Sequence, residues 1–326
     1  MTTPFPLLRL PRLALIPVFQ CMELIEVIAF SFLSKRTHSL SKYLRKKTSF
    51  PYINLEIETD CVCMRIALTD VSSLSLYFYS DVLTTVKVFY PYKQIQWKNI
   101  GLSPEQWVER LLDVTKCPSL SRLTLDAIPK FDVFSVFDVI AKVAELEICK
   151  NCCNALAKRA VEVLSPVTSS INMLKAPFSI QEEFQSFWMG NVECLSIYND
   201  NLLRFQFNLS YLLISNAVKL KMREVVLSLE DLNRFFSYWL DKTSNHRLEH
   251  LSVKSLGHFD KNILLKGLNA TRFTENRTRE FLSIYTFYQF RDFTGAFDVR
   301  RTDGKLAAIT FAKTFGRTFI NFDVWP

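Results

Sequence analysis

The chain has 326 residues, enough for two domains, and its 49% hydrophobic and 22% charged residues are ordinary for a globular protein. It has only seven glycines, and the patterns GxGxxG and GxxxxGK[ST] are missing, which argues against Rossmann or P-loop chemistry. The net charge is +8, but the first 50 residues hold eight Lys or Arg against two Glu, so the rest carries only +2. We therefore predict no nucleic-acid platform in the remainder of the chain.

Residues 7–36 form the most apolar segment, and we do not expect it to cross a membrane. The run from Leu13 to Leu33 is long enough, but it contains Pro17, Gln20, Glu23 and Glu26. Each glutamate near the bilayer centre would cost about 2.5–3.5 kcal/mol. A signal peptide is also disfavoured, because the apolar core is interrupted and no small-residue cleavage site follows promptly.

Helical spacing instead predicts three short helices in this region. Pro11 suits the first position of the first helix, the second begins near Glu23, and the third runs from about Arg36 to Lys46. Three helices in fewer than 50 residues have more apolar surface than they can bury, which predicts a protein–protein site.

The stretches "FPLLRLP" and "MELIEVIAFSFLSKR" resemble the F-box of the nematode F-box families. The resemblance implies docking on a Skp-type adaptor, and through it on a cullin scaffold and a RING ubiquitin ligase. Pro17 departs from the pattern, because a proline inside the first helix deletes one hydrogen bond and would kink the helix or move its start. The adaptor-binding residues expected from the motif are Leu7, Leu10, Pro11, Leu15, Val18, Met22, Leu24, Val27, Ile28 and Ser31.

The basic cluster "KYLRKK" at residues 42–47 has two interpretations. It could bind nucleic acid or act as a nuclear localisation signal. The interpretation that we favour is a solvated helix end, where cations complement the helix dipole.

Beyond Pro51 the pattern predicts strands and then capped helices. "YINLEIETDCVCMRIALTD" and "LTTVKVFY" alternate as strands do. Helices are expected after Ser103, Ser179 and Ser228, each a capping residue followed by an acidic residue or glutamine three positions on. Gly190 is expected to end the second of these helices.

Short strands of the L-x-L kind recur between these helices. Their markers are Leu123, Leu146, Ile171, Leu195 and Leu251. The first three steps are 23, 25 and 24 residues, and the last gap of 56 leaves room for irregular strands around Leu212 and Leu227. A unit of this length predicts an irregular leucine-rich-repeat-like α/β domain, with an open α/β sheet as the alternative.

Residues 225–253, "VVLSLEDLNRFFSYWLDKTSNHRLEHLSV", resemble the type 2 F-box-associated domain of nematode F-box proteins. "FDVRRTDGKLAAITF" is similar to the hairpin that closes such proteins, and Asp303-Gly304 predicts a type I′ turn there. We therefore expect a three-helix F-box at 1–48 and an α/β recognition domain at 51–326 that ends in antiparallel strands. Its F-box-associated segment should cover about 185–300.

Catalytic and metal-binding patterns are weak. "CKNCC" at residues 149–153 has one CxxC spacing without a second pair, so we expect reduced, metal-free cysteines. His246 and His250 are four apart in a strand-like segment, which would hold them about 13 Å apart, too far for one ion. No GxSxG elbow occurs. We predict no enzyme activity, no cofactor and no metal.

These patterns together predict a substrate-recognition adaptor of an SCF-type cullin-RING ubiquitin ligase in the cytoplasm or nucleus. Its partners would be the Skp-family adaptor, cullin and an unknown target protein, with no nucleic acid and no membrane. The alternatives are a non-ligase leucine-rich-repeat-like scaffold, and a protein anchored in a membrane by residues 13–33. Polar residues between the strand apolars should point away from the core, namely Arg122, Thr124, Glu145, Glu147, Ser196, His250 and Ser252.

Overall fold

The structure is a computed structural model that describes residues 9–44, 52–67, 73–79, 84–90, 93–99, 101–198, 207–225, 227–255, 259–274, 293–314 and 317–325. The chain divides into two compact units, Met1–Thr168 and Ser169–Pro326. The three N-terminal helices therefore belong to the same compact unit as the following strands, and the boundaries of an F-box at 1–48 and a recognition domain at 51–326 stay a prediction. Among the described residues, no helix combines the length and the apolar character needed to span a bilayer.

The first unit contains three helices, a sheet and further helices. The helices are α1 (Arg12–Cys21), α2 (Leu24–Ser31), α3 (Lys35–Leu44), α4 (Pro104–Thr115), α5 (Phe134–Asp138) and α6 (Asn154–Leu164). The strands are β1 (Ile53–Ile57), β2 (Cys61–Ala67), β3 (Ser73–Tyr79), β4 (Thr85–Tyr90), β5 (Lys93–Lys98), β6 (Leu120–Leu125) and β7 (Val143–Ile148). A short 3-10 turn, Ser165–Val167, follows α6.

The sheet of the first unit has the order β7-β6-β1-β2-β3-β4-β5. Strands β1 to β5 form an antiparallel meander, whereas β6 pairs in parallel with both β1 and β7. The predicted strand markers are in register, with Leu123 of β6 opposite Leu146 of β7. Both markers are fully buried, because one face of each strand packs on the helices.

The second unit continues the alternation of strand and helix and then turns antiparallel. Its strands are β8 (Thr168–Met173), β9 (Cys194–Tyr198), β10 (Lys219–Val225), β11 (His250–Ser255), β12 (Thr271–Arg272), β13 (Phe293–Arg300), β14 (Leu306–Thr314) and β15 (Arg317–Val324). Its helices are α7 (Gln181–Trp188), α8 (Leu209–Ile214), α9 (Leu229–Leu240) and α10 (Lys261–Leu265). The sheet order is β8-β9-β10-β11-β15-β14-β13-β12, parallel as far as β11.

The predicted strand-and-helix units and the antiparallel ending are present. Ile171, Leu195 and Leu251 lie on strands β8, β9 and β11, and Leu220 of β10 stands in register between the last two. Whether these units are leucine-rich repeats stays a prediction. Phe322 of β15 packs against Phe236 and Trp239 of α9, so α9 lies on the apolar face of this sheet.

The predicted strands around Leu212 and Leu227 are wrong. Leu212 lies in α8, which begins where the side chain of Asn208 accepts a hydrogen bond from the Ser210 N–H at 2.9 Å. Among the described residues between Leu195 and Leu251, the one intervening strand is β10, and Leu227 is a buried residue just before α9. The capping side chain of Asn208 therefore favours a helix over a strand in this apolar run.

Two of the predicted helix caps are confirmed and one is displaced. Ser103 and Gln106 form a capping box on α4, and Ser228 accepts from the Asp231 N–H at 2.9 Å at the start of α9. Helix α7, in contrast, is preceded by Ile180, which has no capping side chain, so the Ser179 cap is wrong by one residue.

The C-terminal hairpin is confirmed, but its turn type is wrong. Strands β13 and β14 pair antiparallel as expected. The connection is longer than a two-residue turn, because the Arg301 N–H donates to the Lys305 carbonyl at 2.8 Å. Gly304 has φ +91° while Asp303 does not have positive φ, and a type I′ turn needs positive φ at both central residues.

Candidate protein-docking site

Helices α1 and α2 are built by local signals at their starts. Helix α1 follows Pro11 and runs through Pro17 to Cys21, so the proline neither ends the helix nor delays its start. Helix α2 begins after Glu23 in a capping box, where the Glu23 N–H donates to the Glu26 carboxylate at 2.8 Å. The chain therefore makes two separate short helices, ten and eight residues long, as helical spacing predicted for this apolar run.

Four of the expected adaptor-binding residues lie inside the helical module. Leu15, Val27, Ile28 and Ser31 are at most 3% exposed. The Ser31 hydroxyl donates to the Ile28 carbonyl at 2.6 Å, which satisfies a polar group in the apolar interior. These residues hold the helices together, and the structure gives them no exposed surface for a partner.

Five further expected residues lie at the surface. Val18, Met22 and Leu24 are half-buried, Leu10 is half-buried in the turn before α1, and Pro11 is exposed. Leu7 lies outside the described residues.

A shallow groove follows the junction of α1 and α2, with a volume of about 460 Å³. We name it the α1–α2 groove, and its lining residues are Pro17, Val18, Cys21, Met22 and Glu26. Its lining is almost entirely apolar, with one carboxylate at its edge. Such a surface is suited to an apolar partner helix or loop.

Sequence reasoning missed three exposed residues of α1. Pro17 and Cys21 line the groove, and Leu13 is 81% exposed. A signal for them was present, because α1 has apolar residues on every side, and a surface helix of that kind needs a further partner. The amphipathic spacing that selected Leu15 and Val18 describes only one of its sides.

Helices α2 and α3 attach the module to the rest of the first unit. The Phe32 ring lies 3.7 Å from the Trp107 ring of α4, centroid to centroid, and Phe78 of β3 packs on the same tryptophan at 4.9 Å. The Lys42 ammonium lies 2.8 Å from the Asp113 carboxylate on α4. The Tyr90 hydroxyl of β4 donates to the Glu23 carboxylate at 3.1 Å. The contacts leave the groove on α1 uncovered and fix its orientation within this unit.

His38 is the titratable group at this attachment. Burial, assisted by the positive charge of Arg110, lowers the pKa of His38 below its ordinary 6.5, although Asp113 opposes the shift. Its Nε2 atom lies 3.4 Å from the Asp113 carboxylate. The neutral imidazole is therefore favoured in the folded chain at neutral pH.

Several of the polar residues predicted between the strand apolars pair with side chains of a neighbouring strand. In the first unit, Arg122 of β6 contacts Glu145 at 2.8 Å and Glu147 at 3.6 Å, both on β7, and Thr124 is half-buried. In the second unit, His250 contacts Asp323 at 2.5 Å and Ser252 donates to Asn321 at 2.7 Å. Ser196 is only 8% exposed, although it alternates with the buried Leu195 and Ile197 and so points to the opposite face of the sheet, as predicted. Small size and close neighbouring strands bury its hydroxyl.

Among the described residues, one cluster has the composition of a metal site, and its chemistry is unfavourable. Glu56, Glu58 and Cys63 have potential ligand atoms within 4.8 Å of one another. Arg65 already neutralises Glu56 at 2.9 Å, and burial raises the pKa of the Cys63 thiol, which opposes thiolate ligation. His246 is exposed, whereas His250 is held by Asp323.

All eight cysteines are free thiols in the structure. Burial raises the pKa of both Cys61 and Cys149 to about 12, so both remain protonated at neutral pH. A protonated thiol is a poor nucleophile and a poor ligand.

Comparison with known families assigns the module that carries the groove. A model of the F-box domain matches residues 7–49. The chain carries an F-box. A second model, described as F-box associated, matches residues 183–253, which contain most of α7, helices α8 and α9, strands β9 and β10 and most of β11. No curated protein and no solved structure matches the chain.

Proposed function

We propose that this chain is the substrate-recognition adaptor of an SCF-type cullin-RING ubiquitin ligase. The observation that carries the proposal is the position of the α1–α2 groove within the segment that matches the F-box. The groove would dock a Skp-type adaptor and, through it, cullin. The F-box-associated segment would hold a target protein. The resemblance to nematode families and the leucine-rich-repeat-like character of the strand-and-helix units belong to the same proposal.

The mechanism is proximity, without catalysis by this chain. One end of the protein holds the ligase and the other holds the target, so ubiquitin transfer becomes effectively intramolecular and its rate follows the effective concentration. The packing of Phe32 on Trp107 supports this, because a rigidly attached F-box presents the rest of the first unit in a defined orientation. The eight free thiols suit the reducing cytoplasm or nucleus, where we expect the protein to act.

The test is co-purification of the full chain with a Skp-type adaptor. Val18→Glu combined with Met22→Glu places two carboxylates in the groove, and anchors of this kind contribute about 1–4 kcal/mol each, so binding should fall at least tenfold. Ile128→Glu is the matched control, because Ile128 is 63% exposed in the loop after β6. Leu10→Ala with Pro11→Ala tests the predicted motif at the start of α1 and should also abolish capture.

Undiminished capture by the groove variant would refute the proposed site. A wild-type chain that captures no adaptor would favour the alternative, in which the helical module is a cap on a protein-interaction scaffold. The contacts of α2 and α3 with α4 support the alternative of a scaffold, because they show the helices packed on the rest of the first unit.

A further inference from the structure

Strand β5 lies at one end of the sheet of the first unit. It pairs with β4 along its whole length, from Lys93 opposite Tyr90 to Lys98 opposite Thr85. Among the described residues, no further strand pairs with it on the other side. Five of its six side chains are exposed, and Trp97 is half-buried. One edge of β5 is therefore open within the part of the chain that the structure describes.

The hydrogen bonds between β4 and β5 show which residues face this open edge. The Asn99 N–H donates to the Thr84 carbonyl at 2.8 Å, so these two residues form a hydrogen-bonded pair just beyond the end of the ladder. In an antiparallel ladder such pairs alternate with pairs whose N–H and C=O groups point away from each other. Every second residue of β5 therefore directs its backbone N–H and C=O groups outward, namely Gln94, Gln96 and Lys98. We call these three residues the β5 edge.

The side chains of β5 give one face of the strand an apolar character. Ile95 and Trp97 stand opposite Val88 and Val86 of β4, which are at most 1% exposed, so they lie on the apolar face of the sheet. Ile95 is nevertheless 38% exposed. An added strand with apolar side chains on this face would cover Ile95 and gain from its burial.

The opposite face of β5 is polar and basic. The side chains of Gln94, Gln96 and Lys98 lie there, and Lys87 of β4 is the register partner of Gln96. On β3, β4 and β5 every charged residue is a lysine. Neither Lys87 nor Lys98 forms an ion pair with a described carboxylate, and the Tyr79 ring, 4.3 Å from the Lys87 ammonium, leaves that charge in place. This face complements carboxylates.

We propose that the β5 edge binds an extended segment of another protein, which joins the sheet as an additional antiparallel strand. Unpaired backbone groups on an edge strand are a template for such pairing. The segment alternates acidic side chains, beside Lys87 and Lys98, with apolar side chains, beside Ile95 and Trp97. The antiparallel direction continues the meander of β1 to β5. The inference goes beyond the proposed function and does not rest on it.

Charge favours an acidic segment over a second copy of β5. Lysines on an edge strand oppose pairing with an uncharged or basic strand, because like charges on paired strands repel. A second copy would bring its own Lys93 and Lys98 to the same edge. Carboxylates on the added strand would instead attract these side chains.

The experiment measures fluorescence anisotropy of a labelled eight-residue Glu-Val repeat added to the full chain. The comparison probe is a Lys-Val repeat of equal length, which has the same apolar side chains and the opposite charge. We expect the Glu-Val repeat to bind at least about tenfold more tightly, equivalent to about 1.4 kcal/mol. Equal binding of the two repeats, or no binding of the Glu-Val repeat, would overturn the inference.

Two methylated versions of the Glu-Val repeat test whether backbone pairing holds the segment. Residues of a hydrogen-bonded antiparallel pair have their side chains on the same face, so the glutamates, opposite Gln94, Gln96 and Lys98, turn their N–H groups to β5. The N–H groups of the valines point away. Methylation of the glutamate nitrogens should lower the affinity at least about tenfold, and methylation of the valine nitrogens less than about threefold. Equal losses, or a larger loss from methylated valines, would overturn the inference.

Two variants of the chain test the same edge. Gln96→Pro removes one outward N–H while it keeps every hydrogen bond to β4, and an edge strand tolerates proline at such a position. It should lower the affinity for the Glu-Val repeat at least about tenfold. Should this variant unfold, Lys98→Glu at an exposed position replaces it, with an expected loss of about tenfold.

Lys142→Glu is the matched control for Lys98→Glu. Lys142 is exposed and immediately precedes β7, at the other end of the sheet of the first unit. Its reversal changes the net charge equally, but it lies beyond the reach of screened charges at β5 and should change the affinity less than about twofold. Equal losses from the two charge reversals, or wild-type affinity in a folded Gln96→Pro variant, would overturn the inference.

Sedimentation of the full chain alone tests the other occupant of the β5 edge. The inference predicts that Gln96→Pro leaves the oligomeric state of the chain unchanged. A self-associated chain that Gln96→Pro separates into monomers would overturn the inference, because a second copy would then occupy the edge.

Discussion

Replacement of Phe32 by alanine tests how the F-box is attached to the first unit. The Phe32 side chain is 5% exposed, and its ring lies 3.7 Å from that of Trp107, itself 1% exposed. Removing a buried phenylalanine typically costs about 3–5 kcal/mol, because apolar burial is lost and a cavity remains. Phe32→Ala should therefore lower the free energy of unfolding by about that amount. Leu33→Ala, at a neighbouring residue that is 64% exposed, should change it by less than about 0.5 kcal/mol.

Urea unfolding of the full chain, followed by circular dichroism, measures both variants. A double-mutant cycle with Trp107→Ala should give a coupling of about 0.5–1.5 kcal/mol or more, because the two rings pack directly. A Phe32→Ala variant within about 1 kcal/mol of the wild type, or equal to Leu33→Ala, would refute the reasoning. The F-box would then be held to the unit by other contacts.

The remaining predictions concern pH, thiols and a helix cap. Because burial lowers the pKa of His38 below 6.5, the unfolded chain takes up the proton first. The contribution of neutral His38 to the free energy of unfolding should therefore be fully present above pH 6.5 and be lost as the pH falls towards the lower folded pKa. The variant His38→Gln should remove that part of the pH dependence of unfolding. An unchanged pH profile would count against this role of His38. At pH 8 an alkylating reagent should modify the exposed Cys21 faster than the protonated Cys61 and Cys149, as mass spectrometry of the native chain can establish. Equal rates would contradict the raised pKa values of these two thiols. Ser228→Ala should destabilise the chain by about 1 kcal/mol through loss of the α9 cap. In thermal unfolding, Ser228→Asp should be about as stable as the wild type, because aspartate is also a capping residue. An alanine variant as stable as the wild type would show that the cap does not stabilise α9.

Local signals made much of the fold predictable. The capping residues Ser103 and Ser228 begin α4 and α9 as expected, because the cap and the first turn involve only adjacent residues. The repeated apolar markers Leu123 and Leu146 also lie in register on parallel strands. Leu212 failed as a strand marker, because the capping of Asn208 outweighed its apolar pattern.

Long-range packing was not predictable from these patterns. Phe32 meets Trp107 across 75 residues of chain, and no local spacing specifies such a pairing. The same packing decides which residues of the F-box are exposed. Because sequence spacing does not contain this information, it predicted both the buried Val27 and the groove residue Val18 as adaptor-binding residues.

The most direct test of the account is the modification of Cys21 in the presence of a purified Skp-type adaptor. Cys21 is exposed and lines the α1–α2 groove, so its alkylation rate reports whether the groove is covered. The account predicts a one-to-one complex in which Cys21 reacts at least about tenfold more slowly than in the full chain alone, a protection equivalent to about 1.4 kcal/mol. Failure to form a complex, or a complex in which Cys21 reacts at its original rate, would contradict it.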